Sequence, residues 1–207
     1  TLFRSSGKPY NSMNLGLVTE YRIDRTRNGQ WLVPFISFNG NLNLAFASPN
    51  GHSGGVIALA SNFNFNSVKS ADGVIAARNG QGLLVVMDQY NEKGARILSK
   101  AAADFAVDGN NVVFSDFNGG LQYFNFSSKQ QFAIKVGGKI DTFAVGADGT
   151  IAFTANRAVY VVNDQTSGST ALVIKNADSV ESRGGVVHYV AGGVSVPLDC
   201  AKGLTGF

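Results

Sequence analysis

The sequence predicts an all-β fold built from repeated four-stranded antiparallel meanders, and three observations predict it. Gly-centred turns recur at Gly40, Gly73, Gly109, Gly149 and Gly185, at spacings of 33, 36, 40 and 36 residues, each between two short apolar runs. A fixed period of this size marks a supersecondary unit used repeatedly. The runs beside these turns are rich in Val, Ile and Phe, which suit a pleated surface, while the turns are rich in Asp, Gly and Asn, which supply the positive φ angles of tight hairpins. Fifteen Phe and 25 Gly beside only 15% charged residues favour sheets over amphipathic helices, whose wet face normally carries Glu, Lys and Arg.

Taken in order, residues 15–24 and 31–35 read as two strands around the turn Arg25-Thr26-Arg27-Asn28-Gly29-Gln30. The repeats begin at about residue 35, with Gly40, Gly73, Gly109, Gly149 and Gly185 each expected to mark the first hairpin of a unit. Asp104-Phe105-Ala106-Val107-Asp108-Gly109-Asn110-Asn111-Val112-Val113-Phe114 is matched by residues 141–153 and more loosely by 178–188, with an earlier copy at 68–76. A second turn follows about eight residues later, at 79–82, 118–120, 156–157 and 192–193, and leads into further runs at 83–87, 121–126, 159–162 and 194–196. A fourth run, at 95–98, 132–136 and 171–174, completes the meander where the chain is long enough. The stretch 95–106, helical in flavour through Ala101-Ala102-Ala103, reads as strand then loop.

These copies resemble degenerate β-propeller repeats over residues 35–200, without the Trp-Asp dipeptide or the eight-residue Asp-box that mark particular families. The resemblance implies a small, about five-bladed propeller, in which radial repetition leaves only short protected edges. A β-sandwich is the alternative, because many short strands also suit two stacked sheets. The last copy is short by one or two strands. The segment 1–34 is therefore expected to complete it, pairing with 186–197, so that 1–207 forms a single β-repeat domain with a tail at 201–207.

With 207 residues, 44% of them hydrophobic, the chain can bury a real core. The net charge of +3 lacks the dense basic stripe of a nucleic-acid surface, so no nucleic-acid partner is expected. No run approaches the length of a membrane-spanning helix, about 20 apolar residues. Cys200, the single cysteine, excludes an internal disulfide and reads as a reduced thiol. Thr1, with no charged-then-apolar leader after it, reads as the start of a processed form or an excerpt. Abundant Asn, Ser and Gly lean towards an extracytoplasmic or virion surface.

Gly51-His52-Ser53-Gly54-Gly55 satisfies the Gly-x-Ser-x-Gly pattern and looks like the nucleophile elbow of α/β-hydrolases, with His188 and either Asp164 or Asp178 following in the required order. A helix should follow such a serine. Instead Asn62-Phe63-Asn64-Phe65-Asn66 alternates like a strand, and in the repeat frame residues 49–55 fall on a second turn, which explains the glycines without catalysis. Metal binding fares no better: Asp108-Gly109 and Asp148-Gly149 offer too few oxygens for calcium, and one Cys with two His is too few for zinc. No phosphate-cradling loop is present either, and no cofactor is expected.

Asp104, Asp141 and Asp178 open three successive copies at spacings of 37 and 37. They read as a carboxylate ring around a channel, a binding site for a cation or basic ligand, or as caps for nearby turns. Tyr123, Phe124, Phe126 and Tyr160 are expected to pack between neighbouring units. The function that follows is a non-catalytic binding or structural module with protein or assembly-subunit partners, or a glycan, for instance in a virion or cell envelope. A serine hydrolase using Ser53, His188 and Asp164 or Asp178 is the alternative.

Overall fold

The computed structural model describes residues 15–26, 28–48, 54–89 and 95–198, together with the backbone of two short paired strands, β1 (Arg4–Ser5) and β2 (Lys8–Pro9). The chain divides into two compact units, Thr1–Lys100 and Ala101–Phe207. Every sheet is antiparallel.

Besides the β1–β2 pair, the first unit holds two larger sheets. In the first sheet β3 (Val18–Tyr21) and β4 (Asp24–Arg25) lie in line on the same side of β5 (Trp31–Ser37), which pairs with β6 (Leu42–Ala47) and then β7 (Gly54–Ala60). The second sheet is a four-stranded meander of β8 (Phe65–Ala71), β9 (Val74–Asn79), β10 (Leu84–Asp88) and β11 (Arg96–Ser99). Leu32, Ile36, Leu42 and Leu44 of the first sheet close onto Phe65, Val68, Ile75, Val85 and Met87 of the second, all of them buried.

The second unit holds three sheets. Strands β12 (Ala102–Asp108), β13 (Asn111–Asp116), β14 (Leu121–Asn125) and β15 (Gln131–Ile134) form the third meander. The fourth runs through β16 (Thr142–Val145), β17 (Ile151–Ala155), β18 (Ala158–Asp164) and β19 (Ser169–Lys175). The fifth has three strands, β20 (Ser179–Arg183), β21 (Val186–Ala191) and β22 (Val194–Pro197). Val113, Leu121 and Tyr123 pack on Val145, Ile151 and Phe153, and the other face of the fourth sheet, through Ala152 and Val159, packs on Val180 and Val187.

A β-sandwich has two layers, and three sheets packed in series overturn that alternative. Parallel stacking would hold the third and fifth sheets about 20 Å apart, twice the usual sheet spacing of about 10 Å. Instead the Ser182 hydroxyl of β20 donates to the Asp108 carboxylate of β12, so the first strands of the two sheets converge. Within this unit the sheets radiate.

The repeat period survives, but its frame shifts. Gly73, Gly109, Gly149 and Gly185 do sit in the turns between the first and second strands of their sheets, whereas Gly40 sits between the second and third strands of the first sheet. The first hairpin there is the turn at residues 26–30, with Gly29 at φ 86°. Residues 15–24 and 31–35 are thereby used in the first sheet and do not complete the fifth, which corrects the expected closure. The reason is pairing: Trp31–Ser37 has β3 and β4 on one side and β6 on the other, so neither of its edges is left over.

Two local readings also change. Ala102–Asp108 is strand rather than loop, the register slipping at Ala102 and Asp104 to pass a bulge. The alternation at 62–66 is a connection, because Asn62 and Asn64 hold φ of 67° and 51° and strand begins only at Phe65. Asparagine tolerates that left-handed backbone better than other non-glycine residues.

Candidate functional site

Second-to-third-strand turns of one kind recur in three sheets. Ser37-Phe38-Asn39-Gly40-Asn41, Asn79-Gly80-Gln81-Gly82-Leu83 and Asp116-Phe117-Asn118-Gly119-Gly120 share two backbone bonds, from the first residue's amide to the fifth carbonyl (3.0, 3.0 and 2.9 Å) and from the glycine amide back to the first carbonyl (2.8, 3.1 and 3.1 Å). The fourth position is glycine in each, at φ 75°, 89° and 83°, the region that glycine enters without a Cβ penalty. Polar side chains tighten the loops: Asn79 Oδ1 accepts from the amides of Gln81 and Leu83, and Asp116 Oδ1 from those of Asn118 and Gly120.

Two of these turns carry a phenylalanine at the second position. Phe38 is 76% exposed and Phe117 is 60% exposed. In the first unit Phe38 borders a shallow groove of about 560 Å³ that also receives Leu17, itself 76% exposed, Asn39, Asn41, Asn43 and Val56. The Leu17 carbonyl accepts from the Phe38 amide at 3.0 Å, which ties the segment before β3 to the turn. Sequence reasoning passed over both rings. Phe-Asn-Gly occurs at 38–40 and at 117–119 and was the available signal.

The opposite end of the second unit is stitched internally. The Asn111 amide donates to the carbonyls of Gly146 (3.0 Å) and Ala147 (3.2 Å), and its Oδ1 accepts from Tyr123 Oη (2.6 Å) and Asn125 Nδ2 (2.9 Å). Burial pushes the Tyr123 phenol up from its usual range, partly offset by the Asn125 bond. The Ala147 amide reaches on to the Gly185 carbonyl at 2.8 Å, so the first hairpins of the third, fourth and fifth sheets are joined in a chain. Such a site holds sheets together and leaves no donor set open to a ligand.

The hydrolase residues do not assemble. Ser53 and His52 lie outside the described residues, and so does Cys200, but Gly54–Ala60, directly after the serine, is strand where a nucleophile elbow needs helix. His188 has its Nδ1 3.3 Å from Ser195 Oγ, and Ser195 donates to Glu181 Oε1 at 2.9 Å, so the carboxylate holds the hydroxyl rather than the imidazole. Asp164 is spent on its own turn, accepting from the Ser167 hydroxyl (2.6 Å) and the Thr166 amide (2.8 Å). Those bonds, the hydroxyl first, hold its carboxyl below the usual range.

Asp104, Asp141 and Asp178 are all exposed. Asp178 accepts from the Gly192 amide at 2.8 Å and meets Arg157 at 3.5 Å, while Asp104 accepts from the next amide, Phe105, at 2.7 Å. Among the described residues no three His, Cys, Asp or Glu side chains gather closely enough to hold a metal. Tyr123 is buried against the fourth sheet, as expected of residues that pack between units, and Phe124 is buried, whereas Tyr160 stacks on its own cross-strand partner Phe153, within the fourth sheet, at 5.3 Å between ring centroids. Among the described residues no helix is long and apolar enough to cross a membrane.

No family model matches the sequence, and no curated protein sequence matches it. Solved structures do. Human WBSCR16 is similar at a TM-score of 0.58 with 11% identity, over 82% of this chain and 59% of that one. Prp20p from Saccharomyces cerevisiae, described together with its binding to Gsp1p and histones, is similar at 0.58 with 10% identity, over 87% of this chain and 59% of that one. BBS1N in complex with ARL6DN is similar at 0.54 with 10% identity, over 87% of this chain and 64% of that one. The chain thus spans about three-fifths of the length of these propellers. At such identities the likeness concerns fold, and the fold, with its repeated four-stranded antiparallel sheets, is of the β-propeller type.

Proposed function

We propose that this chain is a non-catalytic binding module that meets a protein partner through exposed side chains on its second-to-third-strand turns, as a component of a larger assembly such as a virion or cell-envelope complex. The observation that carries the reading is the display of Leu17 and Phe38, each 76% exposed, side by side along one groove beside a sheet whose Leu32, Ile36, Leu42 and Leu44 are buried in the core. Isolated exposed apolar residues are ordinary, but adjoining ones on a rigid scaffold mark contact surfaces. Propeller-type neighbours described in complexes with other proteins add support at the level of fold.

The test is retention of a partner from an extract of the source organism by the intact chain, by Leu17→Ser/Phe38→Ser and by the control Asp141→Asn. A partner kept by the first and third and lost by the second supports the reading. Equal retention by all three would overturn it. The hydrolase alternative is checked by a fluorophosphonate probe, which is expected to leave the chain unlabelled; labelling abolished by Ser53→Ala would reinstate it.

A further inference from the structure

We propose that the two Phe-Asn-Gly turns are saccharide subsites, each stacking the apolar face of a neutral pyranose on its phenylalanine ring and offering the neighbouring asparagine amide to the sugar hydroxyls. The inference rests on the binding-module reading above and specifies its occupant: the partner is met through its glycan.

The aromatic ring is not needed by the turn. The second sheet builds the same loop, with the same two backbone bonds, using Gly80 where the first and third sheets have Phe38 and Phe117. The fourth and fifth sheets make the connection in two residues, Asn156-Arg157 and Gly192-Gly193, all four at positive φ. Two rings at 76% and 60% exposure therefore answer to something outside the fold. A flat ring with a free face attracts polarised C–H groups through its negative π surface, the requirement for stacking a pyranose.

The second observation is the set of donors beside the rings. Asn39 uses its Oδ1 to accept from Ser37 Oγ (2.6 Å) and the Asn41 amide (3.4 Å), so its side-chain orientation is fixed and its Nδ2 has no partner among the described residues. Asn41 likewise uses Oδ1 on the Asn62 amide (3.2 Å) and keeps its Nδ2. Asn118 bonds through its backbone to Asp116 and keeps its whole side-chain amide. The Asn39 and Asn41 donors, held in place through their Oδ1 bonds, cost little ordering on binding, which favours weak polar ligands.

The third is charge. The groove beside Phe38 is lined by apolar side chains, Ser37 and three asparagines, with no charged group. A pocket for an anionic or cationic ligand would carry the opposite charge, and a purely apolar protein anchor would not be rimmed by amides. Hydroxyl-rich, uncharged and amphipathic is the description of a neutral glycan. The volume of about 560 Å³ falls within the usual range for ligand sites, about 300–1,000 Å³.

The experiment titrates the full chain, labelled with nitrogen-15, with cellohexaose, maltohexaose, chitohexaose and mannohexaose, and with a leucine- and proline-rich decapeptide. At least one hexaose is expected to shift the side-chain amide resonances of Asn39 and Asn118. Phe38→Tyr/Phe117→Tyr should bind it within about threefold of the parent, since a flat ring remains. Phe38→Leu/Phe117→Leu, which stays apolar but is no longer flat, should bind at least about tenfold more weakly. Both pairs should melt as the parent does, because the turn tolerates glycine.

No shift with any of the four hexaoses overturns the inference, and so does equal binding by the leucine pair. A partner retained through Leu17 and Phe38 after enzymatic removal of its glycans would sink the glycan while leaving the binding module standing. Shifts at those amides with the decapeptide alone would reassign the turns to an apolar peptide.

Discussion

Asn111 is the residue on which the second unit depends most. It is buried, and it satisfies two carbonyls of the fourth sheet while accepting from two side chains of the third. Asn111→Ala removes the acceptor of the Tyr123 hydroxyl proton and the side-chain donor shared by the Gly146 and Ala147 carbonyls, four bonds in all at a cost of about 3 kcal/mol, whereas Tyr123→Phe removes one donor and costs about 1 kcal/mol. Thermal unfolding is expected to shift down by roughly 6–10 °C and 2–4 °C respectively. Equal, small shifts would show that the network contributes little. The raised phenol adds a pH signature. The folded chain holds the Tyr123 proton more tightly than the unfolded one, so the stabilisation is complete below about pH 10 and is lost as pH rises from there through the folded value. The parent should therefore lose melting temperature above about pH 10 more steeply than Tyr123→Phe. At this scale the sequence was half legible. Burial of Tyr123 followed from its place in a Phe-rich run, but Asn111 looked like turn punctuation. Its partners lie 35 and 36 residues away on another sheet, and only the packing of sheets brings them together.

At the scale of elements, glycine marks where backbones touch as well as where they turn. Gly168 (φ 64°) in the turn between β18 and β19 lies against the third sheet: a Cβ there would stand 2.0 Å from the Ala133 carbonyl oxygen, and its own carbonyl accepts from the Lys135 amide at 2.8 Å. Gly192 has a similar φ of 56°, but a Cβ there would meet nothing within 4 Å. Gly168→Ala must therefore part β15 from the hairpin as well as bear left-handed strain, while Gly192→Ala bears only the strain, about 1–2 kcal/mol. Chemical denaturation should show a loss for Gly168→Ala at least twice that for Gly192→Ala, and equal losses would show that the hairpin moves aside freely. The strands themselves were well marked in the sequence by runs of Val, Ile and Phe between Gly turns. Their frame was not. Gly40 and Gly29 occupy turns with the same bonding pattern, amide of the first residue to carbonyl of the fifth, so nothing local distinguishes a first hairpin from a second. The N-terminal strands settle it by where they pair.

For the whole molecule, those N-terminal strands decide which end of the chain needs which. A strand borrowed by the last sheet would leave the first sheet intact without it, whereas β3 and β4 cover the edge of β5, on which Leu32, Val33, Phe35 and Ile36 are 1%, 0%, 3% and 0% exposed. The chain's single tryptophan, Trp31, pairs with Arg25 across that edge and has the Arg25 guanidinium 5.2 Å over its ring, so its fluorescence reports on the first sheet alone. Deleting residues 1–30 uncovers several large apolar side chains, each worth on the order of 2 kcal/mol when buried, which exceeds what a small unit holds in reserve. The truncated chain is expected to lose its cooperative tryptophan transition and to show an emission maximum already close to that of the unfolded state. A truncated chain whose Trp31 signal melts sharply at the parent's temperature would return these strands to the fifth sheet. The count of five repeats was legible because it rests on the period, which each sheet obeys separately. The assignment of the first two strands was not, because it rests on which edge a strand meets in space, and a degenerate repeat carries no residue that names its neighbour.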